Sequence, residues 1–186
     1  RWSADARFRI PIMSRPDDLV AVDLGMHQDE HKGEHIAGRV VDNKLIPYYS
    51  RAEIENGGLL GRGIELFWVE DPVAAFFLHI QGSGRIKLQD GSTVRIGYAG
   101  RNGRRYTAIG RELIAIGALT QKDVTAPAIM DWLRANPVHG QAIMHKNQSY
   151  IFFRVLDGDE PVGAQGVGLT AGRSLAVDRA FMPLGM

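Results

Sequence analysis

An apolar run that breaks into glycine-flanked polar residues, then a hairpin, then a second glycine-bearing stretch, constrains this chain more than any other segment. It runs from Asp71 to Gly103 and reads DPVAAFFLHIQGSGRIKLQDGSTVRIGYAGRNG. Val73–Ile80 predicts a buried element entered through Asp71-Pro72, with Asp as cap and Pro at the first helical position. Gln81-Gly82-Ser83-Gly84-Arg85 then predicts a polar loop. Arg85–Leu88 and Thr93–Ile96 alternate, and Asp90-Gly91 between them predicts a hairpin, since Gly accepts the positive φ of a tight turn. Gly97-Tyr98-Ala99-Gly100-Arg101-Asn102-Gly103 predicts a second polar loop.

The rest of the chain alternates short strands with a block of helices. Strands are expected over Arg7–Met13, Leu19–Leu24 and Ile64–Val69, and a hairpin over Ile36–Val41 and Lys44–Pro47. Ser50-Arg51-Ala52-Glu53 has capping-box spacing, and Asn56-Gly57-Gly58 ends that helix. Helices are expected over Thr107–Ile116, over Ala126–Ala135 behind Thr125, and from about Gly140 to Lys146. Tyr150–Val155 is a strand, Asp157–Pro161 a turn, and Ser174–Val177 a further short strand. This order predicts an α+β, mainly β domain with a barrel-like antiparallel sheet.

Bulk properties remove several classes of function. Net charge is +1 and 45% of residues are hydrophobic, so nothing favours nucleic acid or an anionic surface globally. Cysteine is absent, which removes disulfides and thiolate metal sites. No apolar run approaches the roughly 20 residues of a membrane span. The opening Arg-Trp-Ser-Ala-Asp and the closing Phe181–Met186 read as cut ends, so an internal piece of a longer protein is expected.

His27, His31 and His35 lie four apart among Asp29, Glu30 and Glu34. On a helix they would share a face fit for zinc, but Gly33 interrupts them and no apolar stripe accompanies them. A solvated loop without metal is expected. Among the carboxylates, Glu53 and Asp71 are explained as helix caps, Glu55 reads as solvated, and Glu65, Glu70 and Asp178 complete the set. No catalytic pair is spelled out, and no catalytic residue is assigned. Gln81, Ser83 and Arg85 offer an amide, a hydroxyl and a bidentate cation between glycines that admit a ligand to the backbone. The same pattern serves a tight turn equally well, and it lacks the Gly-Lys-Ser/Thr ending of a phosphate loop. Arg101, Arg104 and Arg105 with Tyr98 and Tyr106 suit sugar faces, carboxylates or RNA, or form a solvated charge run. Trp68, Trp132, Phe76-Phe77 and Ile151–Phe153 read as core.

Seven segments, taken in order, resemble the membrane-bound lytic murein transglycosylase A family. They are Arg15–Val20, Pro47–Arg51, Asp71-Pro72 with Phe76-Phe77-Leu78, Gln81–Arg85, Gly97–Gly100, Ser149–Arg154 and Leu169–Asp178. The resemblance implies a double-psi β-barrel with a smaller β-rich domain inserted into it and a groove between the two. Residues 1–16 and 161–186 would be pieces of the barrel, and 17–160 the insert. Gln81, Gly82, Ser83, Gly84, Arg85, Tyr98, Ala99, Gly100, Arg101 and Thr170 would bind substrate, and Asp178 would support the barrel as the first of three aspartates. The third of these, the catalytic one, would lie beyond Met186. The implied reaction is non-hydrolytic cleavage of peptidoglycan glycan between N-acetylmuramic acid and N-acetylglucosamine, leaving 1,6-anhydro ends. No cofactor, metal or nucleic acid is implied. A monomer, a periplasmic and outer-membrane-associated location, and a lipid anchor upstream are. A non-catalytic peptidoglycan- or polysaccharide-binding module is the alternative, and an RNA-binding barrel fits the near-neutral charge poorly.

Overall fold

The computed structural model describes residues 5–157 together with 170, 172 and 173. The chain divides into two units, Arg1–Val155 and Leu156–Met186. In the second unit, Thr170 is exposed and its carbonyl accepts the Arg173 N–H at 3.0 Å. Asp178 and the expected strand Ser174–Val177 lie outside the described residues.

In the first unit, β1 (Ile10–Met13) leads to a three-stranded antiparallel sheet of β2 (Val20–Asp23), β3 (His35–Val41) and β4 (Lys44–Pro47). The β3–β4 turn is made by Asp42 at φ 48° and Asn43 at φ 60°. Consecutive left-handed residues give a two-residue hairpin the twist its strands need. The polar stretch before β3 forms two single turns, Leu24–Met26 and Asp29–His31. Among the described residues, no three His, Asp or Glu side chains converge as a metal site would require.

The capping box closes in both directions: Ser50 Oγ accepts from Glu53 N, and Glu53 Oε2 accepts from Ser50 N at 2.7 Å. It starts α1 (Arg51–Glu53), which widens over Ile54–Gly58 and stops where Gly57 turns to φ 101°. β5 (Glu65–Val69) pairs with β1, Ile12 opposite Phe67. Asp71 then caps α2 (Pro72–Gln81) by accepting from Val73 N and Ala74 N, and Gly82 ends it at φ 74°.

Two expected loops are strand. β6 spans Ser83–Lys87 and β7 spans Thr93–Arg101, with Ser83 opposite Gly97 and Lys87 opposite Thr93. Local composition argued for loops because Gly and Ser have low strand propensity. Ladder pairing and the packing of Ile86 and Ile96 override it. The helical block follows: α3 (Ile109–Ala115), α4 (Ala126–Ala135) and α5 (Pro137–Lys146). The last helix begins three residues earlier than expected, because Pro137 sits where a missing N–H costs nothing. β8 (Ile151–Leu156) completes a sheet of order β6-β7-β8.

Helix α2 joins two of the three core clusters. Val73 and Phe76 pack with Leu113, Leu133 and Ile143 of the helical block. Ala75 packs with Ile12, Ile96 and Phe153 of the sheets. The third cluster gathers Met13, Leu19, Tyr48, Ile54, Leu59, Tyr150 and Phe152. The mixture of small sheets and helices is the α+β class expected. The sheets stay separate ladders, linked by a Ser14–Phe153 bridge, and close no barrel among the described residues.

Candidate functional site

The capped helix α2 fixes where its last residue, Gln81, emerges, and the left-handed Gly82 turns the chain at once into β6. Both β5 and β6 are edge strands. Between them opens a cleft of about 1050 Å³ that lies wholly within the first unit. One wall is β5, Leu66 to Val69, with Glu70. The floor is the α2 face carrying Ala74, Phe77 and Leu78. The other wall is Gln81 and the strand from Ser83 through Leu88, with Gln89 and Asp90 at the rim. Phe8, Phe67, Trp68 and Phe77 supply aromatic surface, and the opposite wall supplies an amide, a hydroxyl and two cations.

Of the expected binding residues, Gln81, Ser83, Gly84 and Arg85 line this cleft, and Gly82 is the hinge between them. Gly84 leaves room for the helix: a Cβ there would stand 2.5 Å from Leu78 Cδ1. Tyr98, Ala99, Gly100 and Arg101 do not line it. Both faces of the edge strand β6 border the cleft, whereas Tyr98 stands on β7, the central strand of that sheet. Tyr98 is 52% exposed there. Gly100 packs against Arg15, whose Cδ lies 3.2 Å from where a Cβ would sit. Thr170 belongs to the second unit. Trp68, expected in the core, borders the cleft instead, and Phe67 and Lys87 were not singled out. The alternation of β6 was readable, but nothing local marks a strand as an edge.

The acids around the cleft differ in how they are held. Asp71 is partly buried, which raises its pKa. The Ala74 N–H, the Arg134 guanidinium at 2.8 Å and the Val73 N–H outweigh that and hold it below the usual carboxylate value. Asp90 is held low by the Ser92 hydroxyl at 2.6 Å and the Ser92 N–H. Both are therefore committed as structural anions. Glu70 also borders the cleft, and no ion pair joins it to another described residue.

Behind the cleft floor lies a charge network around the buried Arg51, in which Glu55 is exposed, as expected, and also ion-paired. Arg51 is 1% exposed. Its guanidinium donates to Asn147 O, Ser149 O and Glu55 Oε1, and stacks over Phe76 at 4.7 Å and Tyr150 at 5.3 Å. Glu55 Oε2 meets His145 Nε2 at 3.0 Å. Burial raises the Glu55 pKa, but the His145 hydrogen bond and the Arg51 charge more than offset it, and Glu55 stays below its ordinary value. His79, also buried, accepts the Ile151 N–H at Nδ1. Burial first, and the Arg51 charge second, push its pKa well below 6.5. The basic–aromatic segment is likewise structural in part: Arg104 Nε donates to Tyr48 O. Asn102 Nδ2 donates to Tyr49 O and Gln148 O, and its Oδ1 accepts from Tyr150 N.

Comparison with known proteins bears on what the cleft serves. The family model described as the MltA specific insert domain matches residues 1–154. The membrane-bound lytic murein transglycosylase A of Vibrio cholerae is 34% identical over 145 residues, 77% of this chain and 39% of the relative. A crystal structure of a membrane-bound lytic murein transglycosylase from Agrobacterium tumefaciens superposes with TM-score 0.81 at 36% identity, covering 95% of this chain and 49% of that one. A crystal structure of E. coli MltA with bound chitohexaose superposes with TM-score 0.73 at 27% identity, covering 97% and 47%. The chain thus spans less than half the length of these relatives. The match over residues 1–154, nearly all of the first unit, makes the conclusion plain: this chain belongs to the MltA family and carries its specific insert domain.

Proposed function

We propose that this chain is the glycan-holding part of a peptidoglycan lytic transglycosylase, and that the cleft between β5 and β6 receives a run of sugar residues. One observation carries the reading: a single cleft is lined both by Phe8, Phe67, Trp68 and Phe77 and by Gln81, Ser83 and Arg85. Sugar rings present apolar faces edged with hydroxyls. Aromatic surface covers the faces, while amide and guanidinium groups answer the hydroxyls. The relative holding chitohexaose supports the same ligand class here.

In this reading the cleavage is non-hydrolytic. A carboxylic acid protonates the oxygen between N-acetylmuramic acid and N-acetylglucosamine, and the C1–O bond breaks. The muramic acid 6-hydroxyl oxygen bonds to C1 and gives its proton to the carboxylate, so the ends are 1,6-anhydro and no water is consumed. We assign that acid to an aspartate beyond Met186, as the resemblance to the family implies; Asp71 and Asp90 are held by neighbours. A non-catalytic peptidoglycan- or polysaccharide-binding module is the second reading, since those two acids are so held. Residues 1–16 and 161–186 are proposed as barrel pieces, with Asp178 in support and Thr170 in contact with substrate. The remaining proposals are a monomeric, periplasmic protein at the outer membrane, tethered by a lipid upstream.

Gln81→Ala and Trp68→Ala should each weaken chitohexaose binding, by about tenfold, the loss expected for one stacking or hydrogen-bonding contact. Titration calorimetry reads this directly, and unchanged affinity in both variants rejects the placement. Mass spectrometry of digested murein separates the two readings, since anhydro ends appear only if the protein cleaves.

A further inference from the structure

Strand β6 carries a charge pattern that neutral sugar does not need. Ser83, Arg85 and Lys87 alternate onto one face, all three exposed and all bordering the cleft. Neither the Arg85 nor the Lys87 side chain has a salt-bridge or hydrogen-bond partner among the described residues. The contrast with the acids is the informative part. Asp71 is neutralised by Arg134 and by two backbone N–H groups, and Asp90 is bound by Ser92. Two of the three cleft acids are thus occupied, Glu70 being the third, whereas both cations of one wall are left open toward its space. Positions two apart on a strand are about 6.7 Å apart, close enough for both cations to serve one extended ligand. A guanidinium and an ammonium so placed gain most from carboxylate oxygens, through charge-assisted hydrogen bonds. They gain less from the hydroxyls and acetamides of a chitin-like chain, which carry no full charge.

We propose that Arg85 and Lys87 form a carboxylate-binding row that makes this cleft select acid-bearing glycan over neutral glycan. This rests on the glycan reading above and names the substrate class within it. Murein offers carboxylates from two sources: the lactyl group of muramic acid when no peptide is attached, and the stem peptide when one is.

The test compares the protein with its Arg85→Gln/Lys87→Gln form on three soluble ligands: chitohexaose, murein glycan stripped of peptides, and murein glycan bearing them. The double variant should lose about tenfold more affinity for an acid-bearing ligand than for chitohexaose. The Arg85→Lys/Lys87→Arg form, which keeps both charges, should retain the preference. Excess loss on stripped glycan assigns the row to the lactyl carboxylate, and excess loss on peptide-bearing glycan assigns it to the stem. Equal losses on all three ligands, or none, overturn the row while leaving the glycan cleft standing. Failure of the unaltered protein to bind any of the three overturns both.

Discussion

Arg51 shows what a single side chain can hold in this molecule. It ties α1 to the segment 147–149 through two carbonyls and to Glu55 through a carboxylate, with aromatic rings at its faces. Removing it leaves the Asn147 and Ser149 carbonyls without their donor and empties space beside Phe76 and Tyr150. Arg51→Ala should therefore cost about 2–5 kcal/mol in a urea melt. Gly103 is the backbone counterpart: at φ 72°, a Cβ would stand 2.5 Å from Ala37 O. Gly103→Ala should destabilise by about 1–3 kcal/mol in the same melt, since neither the conformation nor the contact can relax cheaply. The sequence showed residue roles where the partner is a few positions away. Ser50 with Glu53, Asp71 with Val73 and Thr125 with Ala128 are all caps with a fixed local spacing. It did not show Arg51, whose carbonyl partners are 96 and 98 residues distant, nor the Glu55–His145 contact across 90 residues.

Among the elements, α2 is the one on which the cleft depends. Its cap and its left-handed ending determine where Gln81 and Ser83 stand. Asp71→Ala removes the cap and the Arg134 bridge together, and should lower stability by about 1–2 kcal/mol. Chitohexaose affinity should fall further than the stability loss alone accounts for; a melt and a titration on the same variant make the comparison. Element ends set by turn chemistry were readable, as at Asp42-Asn43 and in α4, whose bounds match the expectation. The full extent of β6 and β7 was not. Glycine and serine lower local strand preference, and what restores it is the register of one strand against the other, a relation that no short window of residues contains.

The molecule as a whole carries a dependence on pH that follows from the buried His79 and the ion-paired Glu55. His79 has a folded pKa well below its ordinary 6.5, so the unfolded chain binds more protons than the folded one below that value. Stability should therefore fall as pH drops below 6.5. Glu55 has a folded pKa below its ordinary 4.5, so its contribution is present above 4.5 and is lost as pH falls through the folded value. Urea midpoints across a pH series should thus decline in two stages. His79→Leu should flatten the upper stage and Glu55→Gln part of the lower; a midpoint constant from pH 7 to pH 5 would contradict the first. At this scale the α+β class was legible, because strand and helix patterns depend on period alone. The cleft was half legible: its polar wall lies in one continuous stretch, while its aromatic wall comes from β5 and depends on how two strand edges face each other. Asn102 adds a consequence in time as well as space. One carboxamide spans Tyr49, Gln148 and Tyr150, which lie 53, 46 and 48 residues away along the chain. These segments cannot loosen independently, so the amide protons of Asn102 and Tyr150 should exchange with deuterated solvent at one shared rate, as parts of a single opening unit.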